Sequence, residues 1–126
     1  MPFYDRSFTP PAPVADVLVG HPVSGTTSLS LRGKLDTAAD LTVIPLSVVA
    51  ELDLPPRAHI WARSFDGTYS QRPIYYVRFR LEQHEVPVVV RCVATERTNV
   101  LVGRNVLNRF IITLNGQALR FDLRAA

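Results

Sequence analysis

The chain is predicted to be a mainly β protein with one short helix and a second of one or two turns. Three observations predict this. Apolar and polar residues alternate, with Tyr75, Val77, Phe79 and Leu81 set against Tyr76, Arg78 and Arg80, and period two puts one set on a buried face. Asp66-Gly67 and Asn115-Gly116 stand between such runs as hairpin turns, with Asp66-Gly67 suiting a two-residue type I′ turn. Helical spacing is confined to 45–56 and, more briefly, to 103–110.

The elements follow in order. Pro2, Pro10, Pro11 and Pro13 make residues 1–13 a Pro-rich, flexible or extended arm, and residues 14–126 form one domain. "VADVLVG" is a strand closed by Gly20, and "TTSLSLRG" alternates up to Gly33. "LTVIP" is strand-like and ends at Pro45. The following "PLSVVAELDLPP" is the best helix. Pro45 suits a first turn, Leu46, Val49 and Leu52 share a face, and Pro55-Pro56 stop it. A long hairpin then turns at Asp66-Gly67, "EVPVVVRCVAT" is a largely buried strand, and a last hairpin turns at Asn115-Gly116.

Composition narrows the function classes. The 126 residues suffice for one domain with its own core. Hydrophobic residues at 47%, charged residues at 20% and a mean hydropathy of +0.10 exclude a disordered chain. Arg91 breaks the most apolar run below the ~18 residues of a membrane span. No basic segment followed by an apolar one opens the chain, so no secretory signal is visible. A soluble, cytoplasmic protein without a membrane partner is the expectation. Net charge is +3, carried by thirteen Arg and one Lys. Five Arg lie between Arg57 and Arg80, but Asp66 interleaves with them and no nucleic-acid motif accompanies them. Solvated strand faces explain them better than nucleic acid does.

Other chemistries lack their residues. His21, His59 and His84 are scattered singly, so a zinc site is not expected. Cys92 is alone within a Val-rich strand and reads as a small core residue. No G-x-S-x-G elbow marks a serine nucleophile.

The informative stretch is "KLDTAADLTVIP", where Asp36 and Asp40 sit four residues apart in an otherwise apolar run. Acids are rare in such runs unless they are paired or reactive. A carboxylate at the end of a buried strand, a hydroxyl beside it and small residues after it suit an acid held by backbone N–H groups. A second piece, "NVLVGRNVL", places Gly103 67 residues after Asp36.

With both pieces, the chain resembles the retropepsin-like aspartic peptidases, the retroviral-type family. The resemblance runs from about Leu29 to Leu107. It rests on Leu35-Asp36-Thr37-x-Ala39-Asp40, "LTVIP", the hairpin tipped by Asp66-Gly67, and Leu101-Val102-Gly103-Arg104-Asn105-x-Leu107. It implies a retropepsin-like acid-protease β-barrel subunit, active as a homodimer on a peptide or protein substrate, without metal or cofactor. Asp36 would be the catalytic acid and Thr37 would lock the two loops across the two-fold axis. Ala38, Ala39 and Asp40 would border the substrate. Asp40 would pair with Arg104, and Gly103, Arg104 and Asn105 would support the site. The hairpin from Ile60 to Ile74 would be a flap, with Phe65, Asp66, Gly67 and Tyr69 near the peptide. Phe65 and Tyr69 suit ordinary cross-strand packing equally well.

One departure bears on activity. The family motif reads Asp-Thr-Gly-Ala, and this chain has Ala38 in the glycine position. The methyl keeps the backbone N–H, but it crowds the substrate or strains the turn if φ there is positive. Two further readings therefore stand beside the peptidase. One is a dimerising or peptide-binding domain disabled by Ala38. The other is a basic β-barrel for nucleic acid, which leaves Asp36 and Gly103-Arg104-Asn105 unexplained.

Overall fold

Six strands close into a barrel, some of them alternating apolar with polar residues, as β5 does, and others short and apolar, as β7 is. The computed structural model describes residues 1–24, 28–63, 66–81, 84 and 88–125. Its strands are β1 (Val14–Gly20), β2 (Ser28–Leu35), β3 (Thr42–Pro45), β4 (Ala58–Arg63), β5 (Tyr69–Leu81), β6 (Val88–Thr95), β7 (Val100–Val102), β8 (Phe110–Asn115) and β9 (Arg120–Ala125). Helices α1 (Leu46–Glu51) and α2 (Arg104–Leu107) follow β3 and β7. The mainly β expectation holds, with both short helices.

Around the barrel the order is β1-β2-β7-β3-β6-β5, and β5 returns to pair with β1. Two of the pairings are parallel, β2 with β7 and β3 with β6. Closure removes the free edges that an open sheet would expose. Val17, Val19, Ile44, Val77, Phe79, Val100 and Val102 fill the interior. Each fully buried side chain of this size contributes about 1.5–3 kcal/mol. β5 spans 13 residues, so its first half leaves the barrel and carries β4 as a projecting hairpin.

Several local expectations shift. Arg63 pairs with Tyr69, so the β4–β5 connection covers residues 64–68 and is not a two-residue turn. Among the described residues there, Gly67 alone takes a positive φ, at 84°. The Asp66 carboxylate accepts the Thr68 N–H at 2.9 Å and closes the loop from within, as Asp does in turns. Helix α1 buries Val48 and Leu52, while Leu46 is exposed. Pro45 is its N-cap, in extended conformation. The helix ends before Pro55: Asp53 turns left-handed at φ 51°, Asp53 N–H donates to Ala50 O and Leu54 N–H to Val49 O, a Schellman-type stop.

The second hairpin pairs Asn115 with Arg120, so four residues connect its strands. Leu119, not Gly116, takes the positive φ. Residues 1–13 lie against this hairpin and the barrel: Phe121 N–H donates to Pro2 O, Tyr4 N–H to Leu119 O and Leu35 N–H to Pro13 O. Arg32 reaches both Asp5 and Asp16. No helix among the described residues is long and apolar enough to cross a membrane.

Candidate active site

Asp36 stands one residue beyond β2, where the strand's apolar face runs out. Strand β7 lies parallel to β2, with Leu35 opposite Val102, and the Asp36 N–H donates to Val102 O at 3.0 Å. The chain then turns tightly. Ala39 N–H donates to Asp36 O, and Ala38 N–H donates to the Asp36 carboxylate at 3.0 Å. An N–H aimed at a carboxylate fixes its orientation.

Arg104, the first residue of α2, clamps the loop from below. Its N–H donates to Ala39 O at 2.9 Å, and its Nη1 donates to Thr37 O at 2.8 Å. Nη2 meets the Asp40 carboxylate. The guanidinium fork is thus divided between a carbonyl and a carboxylate and does not grip Asp40 with both arms. The pair is open to solvent, with the Arg104 side chain 43% and the Asp40 side chain 84% exposed. Its stabilising effect is therefore under about 1 kcal/mol, and its geometric effect on the loop is the larger one.

Asn105 and Thr42 form the buried half of the clamp. Asn105 Oδ1 accepts both Thr42 N–H and the Thr42 hydroxyl, and Nδ2 donates to Arg91 O at 2.7 Å. The same hydroxyl accepts the Gly103 N–H at 3.1 Å. At Gly103 a Cβ would lie 2.5 Å from the Leu41 carbonyl carbon and 2.6 Å from its oxygen. Only glycine allows β7 and α2 to meet β3 this closely.

Asp36, Thr37, Ala38, Ala39, Asp40, Gly103, Arg104 and Asn105 thus converge on one end of the barrel. Asp66, Gly67 and Tyr69 lie apart from them on the hairpin, and Phe65 lies outside the described residues. Thr37 and Ala38 are exposed. Ala38 is not among the residues with positive φ, so its methyl causes no left-handed strain.

Sequence reasoning passed over three further residues, of which Thr42 contacts this group. Thr42 is fully buried, and its polarity inside "LTVIP" was the available signal. Trp61 is opposite Gln71 and is 70% exposed. Strand alternation puts Trp61 and Tyr69 on the hairpin face continuous with the barrel's buried Tyr75, Val77 and Phe79. Arg97 is the third. Partial burial pushes its guanidinium below the usual range, and attraction to Asp36 acts in the opposite sense. Nothing local in the sequence marked it. No three His, Cys, Asp or Glu side chains converge on a metal-sized site among the described residues.

The fold matches solved structures. The simian foamy virus protease aligns with TM-score 0.57 and 17% identity over 75% of this chain and 91% of that one. A retropepsin-like aspartic protease from Rickettsia conorii aligns with TM-score 0.55 and 12% identity over 91% of this chain and 95% of its own. The fold is retropepsin-like. The EIAV protease, solved with the inhibitor HBY-793, aligns with TM-score 0.53 and 19% identity over 77% of this chain and 86% of its own. No family model matches the chain, and no curated protein resembles it in sequence. At these identities the likeness speaks for the retropepsin-like fold alone.

Proposed function

We propose that the protein is an aspartic endopeptidase whose active form is a homodimer, with Asp36 of each subunit contributing to one catalytic dyad. The observation that carries this reading is the Asp36 loop. A carboxylate follows the buried end of β2 and accepts the Ala38 N–H at 3.0 Å, on a loop whose Thr37 carbonyl Arg104 holds and whose return into β3 Asn105 fixes at Thr42. Such a carboxylate is oriented and still reachable. The chain has one Asp-Thr motif, and the chemistry takes two acids, so an isologous dimer is required.

Two adjoining carboxylates cannot both ionise cheaply and share one proton. The ionised member takes a proton from a bound water, and the water oxygen attacks the scissile carbonyl. The protonated member gives its proton to that carbonyl oxygen, forming a tetrahedral diol. The first acid then passes its new proton to the amide nitrogen, the C–N bond breaks, and the diol returns a proton to the second acid. No covalent intermediate forms. The β4–β5 hairpin closes over the peptide with Trp61, Tyr69, Asp66 and Gly67 and excludes water. Thr37, exposed in the single chain, meets its counterpart across the two-fold axis.

The alternative is a peptide-binding dimer disabled by Ala38, and the methyl on the catalytic loop is what favours it. Against it, Ala38 retains its N–H on Asp36 and has no left-handed strain. Digestion of a peptide library at mildly acidic to neutral pH, with light scattering on the same samples, tests both readings. Cleavage that a statine-containing peptide blocks, and that Asp36→Asn abolishes without dissociating the dimer, supports the peptidase. An inert wild type that Ala38→Gly activates identifies the disabled form. A strict monomer at every concentration, with or without peptide, would remove the mechanism.

A further inference from the structure

The outer face of β5 and β6 is basic. Tyr75, Val77 and Phe79 point into the barrel, so Tyr76, Arg78 and Arg80 point away from it. Strand pairing sets Arg91 of β6 opposite Tyr76, and Val89 of β6 opposite Arg78. On the other side of β5, Leu18 of β1 stands opposite Arg80. Arg78, Val89 and Arg91 are exposed, while Tyr76, Arg80 and Leu18 are half-buried.

These three arginines lack the partners that others in the chain have. Arg32 and Arg104 each meet a carboxylate, and Arg97 holds Asn99. Among the described residues Arg78, Arg80 and Arg91 form no ion pair. The one acid in β1, β5 or β6 is Asp16, and its carboxylate already takes Arg32 Nη1 at 2.6 Å. Clustered like charges repel one another and raise the energy of the folded state. The strands beneath them are fixed, since β5 is paired on both sides and Arg91 O accepts Asn105 Nδ2 at 2.7 Å.

The spacing of the charges identifies what fits them. Residues two apart on a strand lie roughly 6.5 Å apart. Arg91, Arg78 and Arg80 therefore fall at successive steps of this size along β5, with Arg91 set one strand to the side. An extended peptide has the same repeat on each of its faces, so acids at alternate positions meet the three guanidinium groups in turn. Val89 and Leu18 put apolar surface beside the charges, which suits peptide side chains better than a sugar–phosphate chain. We infer that this outer face docks an extended acidic segment of a protein, with carboxylates at alternate positions on Arg91, Arg78 and Arg80. The face is on the outside of the barrel, and its docking role holds whether or not the chain cleaves peptides.

The test is fluorescence anisotropy with a short labelled peptide of alternating Glu and Thr. Its comparisons are the Gln-Thr counterpart and an isomer with all the Glu residues in one block. The wild type should bind the alternating peptide more tightly than the block isomer and leave the Gln peptide unbound. Binding should weaken as salt is raised. These measurements need no variant to fold. Arg78→Gln with Arg80→Gln should weaken binding about tenfold, as for two exposed ion pairs lost together. Arg6→Gln with Arg124→Gln removes the same charge elsewhere and should leave binding close to that of the wild type. Equal affinity for the two isomers, or equal losses in the two double variants, overturns the proposal. A single-stranded oligonucleotide that binds the same face more tightly and displaces the peptide also overturns it, in favour of nucleic acid. Absence of any binding at low salt overturns it too and leaves the peptidase reading untouched.

Discussion

The side-chain oxygen of Asn105 accepts two hydrogen bonds from one residue, Thr42, through its N–H at 3.0 Å and its hydroxyl at 2.9 Å. Sixty-three residues separate them in the chain. The contact joins α2 to the start of β3, and the loop that carries Asp36 is the segment between β2 and β3. Its geometry therefore depends on a buried polar contact, which is costly to leave half made.

Thr42→Val keeps the shape of a fully buried side chain and removes its hydroxyl. Gly103 N–H then loses its acceptor, and Asn105 loses one of two donors. A loss of about 1–3 kcal/mol is expected. Asn105→Ala, which also strands Arg91 O, should cost at least as much. Urea unfolding at a fixed protein concentration measures both, since the stability of the proposed dimer would depend on concentration. A Thr42→Val loss under about 0.5 kcal/mol, the range of neutral surface changes, would show the network to be dispensable.

Gly103 and Gly116 provide a matched pair. A Cβ at Gly103 meets the Leu41 backbone at 2.5 Å, whereas at Gly116 nothing lies within 4 Å. Gly103→Ala should destabilise by at least about 2 kcal/mol, because backbone must move. Gly116→Ala should stay within about 0.5 kcal/mol. Thermal melts of the two variants side by side decide the matter, and similar melting temperatures would contradict the close approach.

Arg104→Ala should separate stability from activity. The Asp40 pair is too exposed to contribute more than about 1 kcal/mol. Loss of the Thr37 carbonyl contact, however, frees the loop that carries Asp36. Cleavage should fall about tenfold or more, as for a group that positions rather than reacts. Arg104→Lys should recover little, because an ammonium cannot span both acceptors. A variant with unchanged kcat/KM would remove Arg104 from the site's support.

Cys92 gives a pH prediction. Burial pushes its thiol up to about 12 from 9.0, and its S–H donates to Tyr75 O. The unfolded chain therefore releases this proton first as pH rises. The thiol's contribution to stability is intact below about pH 9 and is lost between there and about pH 12, at up to about 1.4 kcal/mol per pH unit. Cys92→Ala should unfold with a weaker dependence on alkaline pH than the wild type. At pH 8 the native thiol should resist a thiol-reactive dye until denaturant is added. Immediate labelling of the folded chain would show that the strand opens.

The sequence alone determined where most of the strands lie, because alternation is local and each residue's face follows from its neighbours; β7, three apolar residues without alternation, was not among them. Tyr75, Val77, Phe79 and Leu81 went inward as the period required. Both hairpins formed around their Gly-containing dipeptides, but loop length and the residue with positive φ did not follow from dipeptides. Strand pairing on both sides determines them, which is how Leu119 came to hold φ 55°. The residues of the candidate loop were legible as a motif, and so was the Asp40–Arg104 partnership. Only the tertiary structure decided that Arg104 divides its fork with Thr37 O and that Thr42 faces Asn105. Both depend on the parallel pairings of β2 with β7 and β3 with β6, which join residues such as Gly33 and Val100, or Thr42 and Cys92, far apart in the chain. No local pattern encodes such a pairing, because the whole barrel must close before those strands become neighbours.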